Sequence, residues 1–220
     1  MKPYASLTPR GKARRLRNVA FAALEHYDLD MTRLTWVGSF TNTLFRAYTS
    51  SGASYALRIC DPGWRTDTDL RSEIMWLQSL ANVSEIPAPA PLLARDGAPF
   101  VSVTVPPFTL PLRCTVMSWL NGSLLGTNLT EANLAKMGAL FARLHTQALD
   151  FRPPAGFTER TMSSYLARGE PDMLFEKGLV GVGAPRSRDV LRRTRARVTA
   201  AFEALYNDTQ GLRVIHNDLW

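Results

Sequence analysis

Two charged residues stand where the surrounding pattern has no place for a lone charge. Over Ser54 to Cys60, period-two alternation puts Ala56, Arg58 and Cys60 on one face of a strand and Tyr55, Leu57 and Ile59 on the other. In the helical stretch that follows, Leu70, Ile74, Leu77 and Ala81 form an apolar stripe, and Glu73 falls on that stripe rather than opposite it. A carboxylate buried there without a partner either costs several kcal/mol or takes up a proton, so Arg58, fifteen residues upstream, is the fitting counter-ion. Small residues beside Arg58 leave room for a further group. The same spacing also suits an internal salt bridge with no chemistry.

Two other stretches carry groups of chemical interest. Leu212 to Ile215 is a short apolar run, read as a buried strand, and His216-Asn217-Asp218 follows it. A carboxylate on a loop just beyond such a strand is placed to handle a proton or orient a hydroxyl, although an Asp that caps the loop fits equally. Val37-Gly38-Ser39-Phe40-Thr41-Asn42-Thr43 lies between two strands and can turn tightly, with backbone N–H groups aimed at an anion or simply as a hairpin.

The elements that must position these groups follow from caps, periodicity and breakers. Thr8 and Pro9 open a helix whose apolar stripe is Leu16, Val19, Ala20, Ala23, Leu24 and Tyr27. Leu34 to Val37, Leu44 to Tyr48 and Ser54 to Cys60 read as an antiparallel meander with a turn at Ser50-Ser51-Gly52. A helix is predicted over about 69–81. Ile86 to Pro91 alternates with proline and is read as an extended connector. Pro99 to Val105 and Arg113 to Trp119 complete five strands, with Arg95-Asp96-Gly97 and Pro106-Pro107 as turns. Beyond Asn121-Gly122 the pattern is helical: Thr130 caps a helix with Leu134, Met137, Leu140, Phe141 and Leu144 on one face, and a long helix spans about 187–206. His145, at the edge of the first stripe, is read as a satisfied core histidine.

Composition narrows the class. The 220 residues are 45% hydrophobic and 20% charged, which excludes disorder, collagen and coiled coil. No apolar run is long enough to span a membrane, the run from Val19 to Leu24 is too short for a signal-peptide core, and Cys60 and Cys114 are too few for a disulfide framework. A cytoplasmic protein without membrane contact is expected. The +7 charge, with 26 basic residues against 19 acidic, is concentrated at Arg10, Lys12, Arg14, Arg15 and Arg17 and again at Arg186, Arg188, Arg192, Arg193, Arg195 and Arg197. Neither cluster is interleaved with aromatics, so both are read as solvated helix faces, with nucleic-acid binding kept as a minor alternative.

The order of these parts resembles the aminoglycoside phosphotransferase family of kinase-like enzymes. A turn between two strands is followed by Tyr55-Ala56-Leu57-Arg58, Ser72-Glu73, Met117-Ser118-Trp119-Leu120-Asn121-Gly122 and His216-Asn217-Asp218. The resemblance covers nearly the whole chain. It implies an α+β, bilobal, protein-kinase-like fold: a helical segment over 1–30, a five-stranded antiparallel nucleotide-binding lobe with one inserted helix over 31–120, and a partial, mainly helical lobe over 121–220 that ends in the catalytic loop.

It further implies an ATP-dependent transfer of the γ-phosphate to a hydroxyl of a small molecule. Gly38, Ser39 and Asn42 would cover the phosphates, Ala56 would pack on the adenine, and Arg58, held by Glu73, would touch the α and β phosphates where protein kinases use Lys. Met117 would guard the pocket, while the Ser118 carbonyl and the Leu120 N–H pair with the adenine edge. Asp218 would be the catalytic carboxylate. Asn217 replaces the Arg of the protein-kinase loop, so control by loop phosphorylation is not expected. The family's Mg2+ ligands are expected beyond residue 220, and the 220 residues alone are expected to transfer phosphate negligibly. A catalytically dead nucleotide-binding module is the rival reading.

Overall fold

The computed structural model describes residues 4–39, 41–60, 65–83, 85–158, 172, 175, 185–207 and 214. The chain divides into two compact units, the first built on residues up to Thr158 and the second carrying the last helix.

The first unit begins with α1 (Pro9–Leu24), where the Thr8 side chain accepts the Gly11 N–H at 3.2 Å and Pro9 occupies a first-turn position that needs no donor. Its buried residues, with Tyr27 beyond its end, include every position of the stripe expected from the sequence. Arg10, Arg14 and Arg17 are exposed, and Arg17 donates to the Leu34 carbonyl at 3.0 Å while lying over the Phe21 ring. The basic cluster is therefore the outer face of a packed helix.

Strands β1 (Met31–Ser39), β2 (Asn42–Thr49) and β3 (Ser54–Cys60) form the meander, with a tight turn whose Gly52 sits at φ +84°. Two further strands pair with one edge of β6 (Leu112–Ser118), whose other edge pairs with β3: β4 (Pro91–Leu92) and β5 (Val101–Val103). All pairs are antiparallel, in the order β1-β2-β3-β6-β4, with β5 also on β6.

The sheet thus has six strands rather than the expected five. The connector supplies the extra one, because a proline at the first residue of an edge strand gives up no ladder hydrogen bond. The fourth and fifth expected strands exist with shifted ends.

Strict alternation gives the sheet two different faces. On β2, Thr43, Phe45, Ala47 and Thr49 are buried while Asn42, Leu44, Arg46 and Tyr48 are partly exposed. The buried face, including Leu34, Phe45, Leu57, Ile59, Cys114 and Val116, forms one core with α1. The opposite face carries α2 (Asp67–Ala81), whose Leu70 and Ile74 pack with Cys60 and Phe100 in a much smaller cluster. Toward its C-terminal end α2 buries Leu80 and leaves Ala81 exposed, because the 3.6-residue period rotates the stripe away from the expected last position.

Further on, α3 (Glu131–Asp150) is capped by Thr130, which accepts the Asn133 N–H at 3.2 Å, and buries only Ala148. Its expected stripe is half-exposed or, at Leu134, exposed. His145 Nε2 is buried without a hydrogen-bond partner among the described residues, which corrects the expectation of a satisfied histidine. In the second unit α4 (Pro185–Asn207) presents Arg186, Arg192, Arg193, Arg195 and Arg197 to solvent, with Arg195 stacked on Phe175 at 4.4 Å and paired with Asp172 at 3.5 Å. The expected strand over 212–215 lies outside the described residues except for Val214. Among the described residues no helix is long and apolar enough to cross a membrane.

Phe45 stands in a cross-strand row with Trp36, Leu57 and Val116 and is 1% exposed. Phe45→Ala is expected to lower unfolding free energy by about 3–5 kcal/mol. Leu134→Ala, at a position 45% exposed, is expected to stay within about 0.5 kcal/mol of the wild type. Denaturant titration of both variants checks the contrast.

Candidate active site

Strand register decides which side chains share the α2 face. Leu44, Arg58 and Thr115 stand side by side across β2, β3 and β6, and Gly38 of β1 pairs with Leu44 at the end of that row. The neighbouring row is Thr35, Arg46, Ala56, Met117 and Pro91. At about 4.8 Å between strands, Gly38 lies roughly 10 Å from the Arg58 backbone along the row. A Cβ built on Gly38 would meet nothing within 4 Å, so the space above this end of the sheet is open.

Arg58 is joined to α2 by a fork. Its Nη1 donates to Glu73 Oε1 at 2.8 Å and its Nη2 to Glu73 Oε2 at 2.6 Å, while Nε donates to Thr115 Oγ1 at 3.2 Å. The side chains are 12% and 22% exposed. A guanidinium has five N–H donors; three are used in these bonds, and the Cys60 side chain hydrogen-bonds the same guanidinium. Arg65 adds a second cation, its Nη1 lying 3.2 Å from Glu73 Oε2.

Burial opposes the charge on both partners. For Glu73 the hydrogen bonds and charge of Arg58, with the charge of Arg65, outweigh it and hold the carboxyl below its ordinary range. Burial likewise works against the charge on Arg58, but the bonds and charge of Glu73 raise its value above that of a free arginine.

The helix that delivers Glu73 is fixed at its start. Thr66 accepts the Asp69 N–H at 3.2 Å and donates its own backbone N–H to Asp69 Oδ2 at 2.7 Å, a reciprocal cap that begins the helix two residues before the expected position. From β6, Arg113 donates to the Arg65 carbonyl and pairs with Asp67 at 3.2 Å.

The other end of the sheet face leads into Ser118 and Trp119. Ser118 donates its N–H to the Ala90 carbonyl at 2.8 Å, but Ala90 returns its N–H to the Ser118 hydroxyl, also at 2.8 Å. In a regular antiparallel pair that N–H would go to the Ser118 carbonyl. The hydroxyl therefore leaves the carbonyl available to another donor. Trp119 donates to the Ser54 carbonyl at 3.1 Å, and its ring lies 4.4 Å from the Arg46 guanidinium, which also lies 4.8 Å from Tyr48. Leu120 is exposed just beyond.

Several expected site residues are thus assembled and others are not. Gly38, Asn42, Ala56, Arg58 and Met117 share one sheet face, Glu73 meets it from α2, and Ser118 and Leu120 lie at its far end. Gly38 and Ser39 belong to β1 and Asn42 to β2, rather than to a turn. Ser39 pairs with Thr43 on the α1 side, where its hydroxyl accepts from Trp36 Nε1 at 3.1 Å and contacts Thr43 Oγ1 at 3.0 Å. Only the Ser39 backbone can serve this face. Asp218 lies outside the described residues. Thr115, Arg65 and Arg113 were missed by sequence reasoning, although a Thr in an apolar run opposite Arg58, 1% exposed, is a buried hydroxyl that needs a partner.

The arrangement fits a polyanion with a planar base: a fixed guanidinium with donor capacity beyond the fork, open space beside Gly38, and a strand-end carbonyl left by its ladder partner. Among the described residues, no group of three or more His, Cys, Asp or Glu could hold a metal ion, so none of them is assigned to magnesium.

The depressed Glu73 value has a pH consequence. Stability from the pair is fully present above about pH 4.5, the ordinary value, and is lost as pH falls through the lower folded value. Glu73→Gln is expected to cost about 2 kcal/mol at neutral pH, less than the roughly 3–5 kcal/mol of a fully buried pair because the site is partly solvated, and to remove this part of the acid slope. Unfolding free energies measured from pH 3 to 7 check it; an unchanged slope overturns it.

Residues 34–220 match the phosphotransferase enzyme family. The uncharacterized protein sll1119 of Synechocystis sp. is 26% identical over 165 residues, 74% of this chain and 42% of that protein. Among solved structures, a microcompartment-associated aminopropanol kinase superposes with a TM-score of 0.56 at 23% identity, over 66% of this chain and 45% of its own. The amicoumacin kinase hAmiN, in complex with AMP-PNP, Ca2+ and Ami, superposes with a TM-score of 0.62 at 18% identity, over 87% and 55%. The chain therefore spans about half the length of these relatives. Its fold is the protein-kinase-like α+β fold, and with the match covering all but its first 33 residues, the chain belongs to the phosphotransferase enzyme family.

Proposed function

We propose that this chain carries the nucleotide-binding part of an ATP-dependent phosphotransferase that moves the γ-phosphate to a hydroxyl of a small molecule. The observation that carries the reading is the Arg58–Glu73 fork on an open sheet face, one row from Ala56 and Met117 and in line with Gly38. In phosphoryl transfer the protein's work is positioning and charge stabilisation, and a cation held by two parallel bonds supplies both.

In this reading Arg58 contacts the α and β phosphates, and the backbone around Gly38, Ser39 and Asn42 covers them. Ala56 and Met117 bound the base, while the Ser118 carbonyl and Leu120 N–H meet its edge. Asp218 accepts the proton of, or orients, the acceptor hydroxyl. Magnesium, when bound with the nucleotide, neutralises phosphate charge. Two kinases of the same fold are named for aminopropanol and amicoumacin, which supports an acceptor of small-molecule size.

A thermal shift with MgATP tests the nucleotide site. At about five times Kd, ATP is expected to stabilise the wild type by about 1 kcal/mol, raising Tm by about 2–4 °C. Arg58→Ala is expected to lose most of that shift. Equal shifts in the two proteins overturn the assignment of Arg58, and no shift in the wild type overturns the nucleotide reading.

A further inference from the structure

Helix α2 has a second polar attachment, on a different face from Glu73. Ser72 is 5% exposed. Its hydroxyl donates to the Thr68 carbonyl at 2.9 Å and accepts the backbone N–H of Thr158 at 2.9 Å. One turn along the helix, the Trp76 ring meets Phe151 edge-on, with centroids 4.9 Å apart and planes at 75°, and Phe151 meets Phe157 at 5.2 Å and 69°. Residues 151–158, which leave the end of α3, therefore lie across the face of α2 that carries positions 72 and 76.

Among the described residues the apolar grip of α2 on the sheet is slight: its buried cluster joins Leu70 and Ile74 to only Cys60 and Phe100. Glu73 follows Ser72 by one residue, about 100° around the helix. Whatever stops α2 from rolling or sliding also decides whether the Glu73 carboxylate reaches the Arg58 fork. Bonds of 2.6 and 2.8 Å do not survive a displacement of about 1 Å, since hydrogen bonds weaken beyond roughly 3.2 Å.

We propose that residues 151–158 form a strap that positions Glu73. Ser72 is the positioning residue, Thr158 its backbone partner, and the Trp76-Phe151-Phe157 edge stack the apolar part of the hold. Without the strap, α2 keeps its helical structure but the carboxylate drifts from Arg58, whose guanidinium then loses its orientation toward the nucleotide. This functional consequence rests on the nucleotide reading above; the mechanical one does not.

The test compares the 220-residue wild type with Ser72→Ala, which removes the hydroxyl, and Ser72→Thr, which keeps it. Solvent exchange of the Arg58 Nε–H, assigned by its disappearance in Arg58→Lys, is followed by NMR, and the affinities of ATP and adenosine are measured by calorimetry. Coupling within one side-chain network predicts exchange about tenfold faster in Ser72→Ala, within about twofold of the wild type in Ser72→Thr, and ATP Kd raised about three- to tenfold. Adenosine, which has no phosphate for Arg58 to hold, should bind Ser72→Ala as it binds the wild type.

Exchange in Ser72→Ala within about twofold of the wild type overturns the strap. Absence of ATP binding in the wild type overturns the nucleotide reading alone, because the exchange measurement still decides the strap. If Ser72→Ala does not fold, Trp76→Leu, which removes the edge stack, carries the same measurements with the same expected direction.

Discussion

Everything at this site depends on one ion pair between a sheet and a helix that otherwise have little reason to stay in register. α1 is held to its side of the sheet by a broad core with several completely buried side chains, and its position is settled by area. Among the described residues the buried cluster under α2 has only four side chains, two of them its own, so polar contacts settle the rest. Such contacts are directional. A fork of two parallel N–H···O bonds specifies angle as well as distance, which apolar burial does not. The pair must nevertheless overcome the cost of taking both charges partly out of water, and it does so by saturation: Glu73 accepts from two arginines, and the Arg58 Nε, which the fork leaves unused, is met by Thr115.

That saturation sets the charge the site presents. Among the described residues Arg58 and Arg65 share a single carboxylate, so these three side chains together carry one net positive charge. Arg113 is balanced by Asp67 at the start of the helix and adds little to it. A partly desolvated surplus cation on the same sheet face as Gly38 favours an anionic ligand far more than the overall +7 does, because most basic residues of α1 and α4 lie at exposed positions where salt screens them.

The features legible in the sequence were those carried by period and cap. Glu73 on an apolar stripe, Arg58 among small residues on its strand, Thr8 and Thr130 before helical runs, and the meander of β1 to β3 all declare themselves locally. Three features were not legible, each for a reason. Pro91–Leu92 pairs with β6 through an edge contact that proline composition argues against. Gly38 and Asn42 read as a turn because Gly, Ser, Thr and Asn cluster there, but strand pairing continues to Ser39 on one side and begins again at Asn42 on the other. The partners Thr115 and Thr158 lie 57 and 86 residues from the groups they meet, so no local pattern points to them.

The hidden contacts share a chemistry. Thr115 ties down the Nε of Arg58, Ser72 takes the N–H of Thr158, and Ser118 takes the N–H of Ala90 and so leaves its own carbonyl outside the ladder. Each is a short hydroxyl that intercepts a donor which would otherwise be unpaired or committed elsewhere. A hydroxyl does this at little cost in side-chain entropy and without adding charge, so it can fix a charged or backbone group without competing electrostatically with a bound anion. A carboxylate in place of Thr115 or Ser118 could accept the same donors, but it would cancel the surplus positive charge next to Arg58 or place a negative group beside the base edge. The fold therefore uses a carboxylate, Glu73, where orientation of a cation demands it and hydroxyls at Thr115, Ser72 and Ser118, where a donor has only to be held.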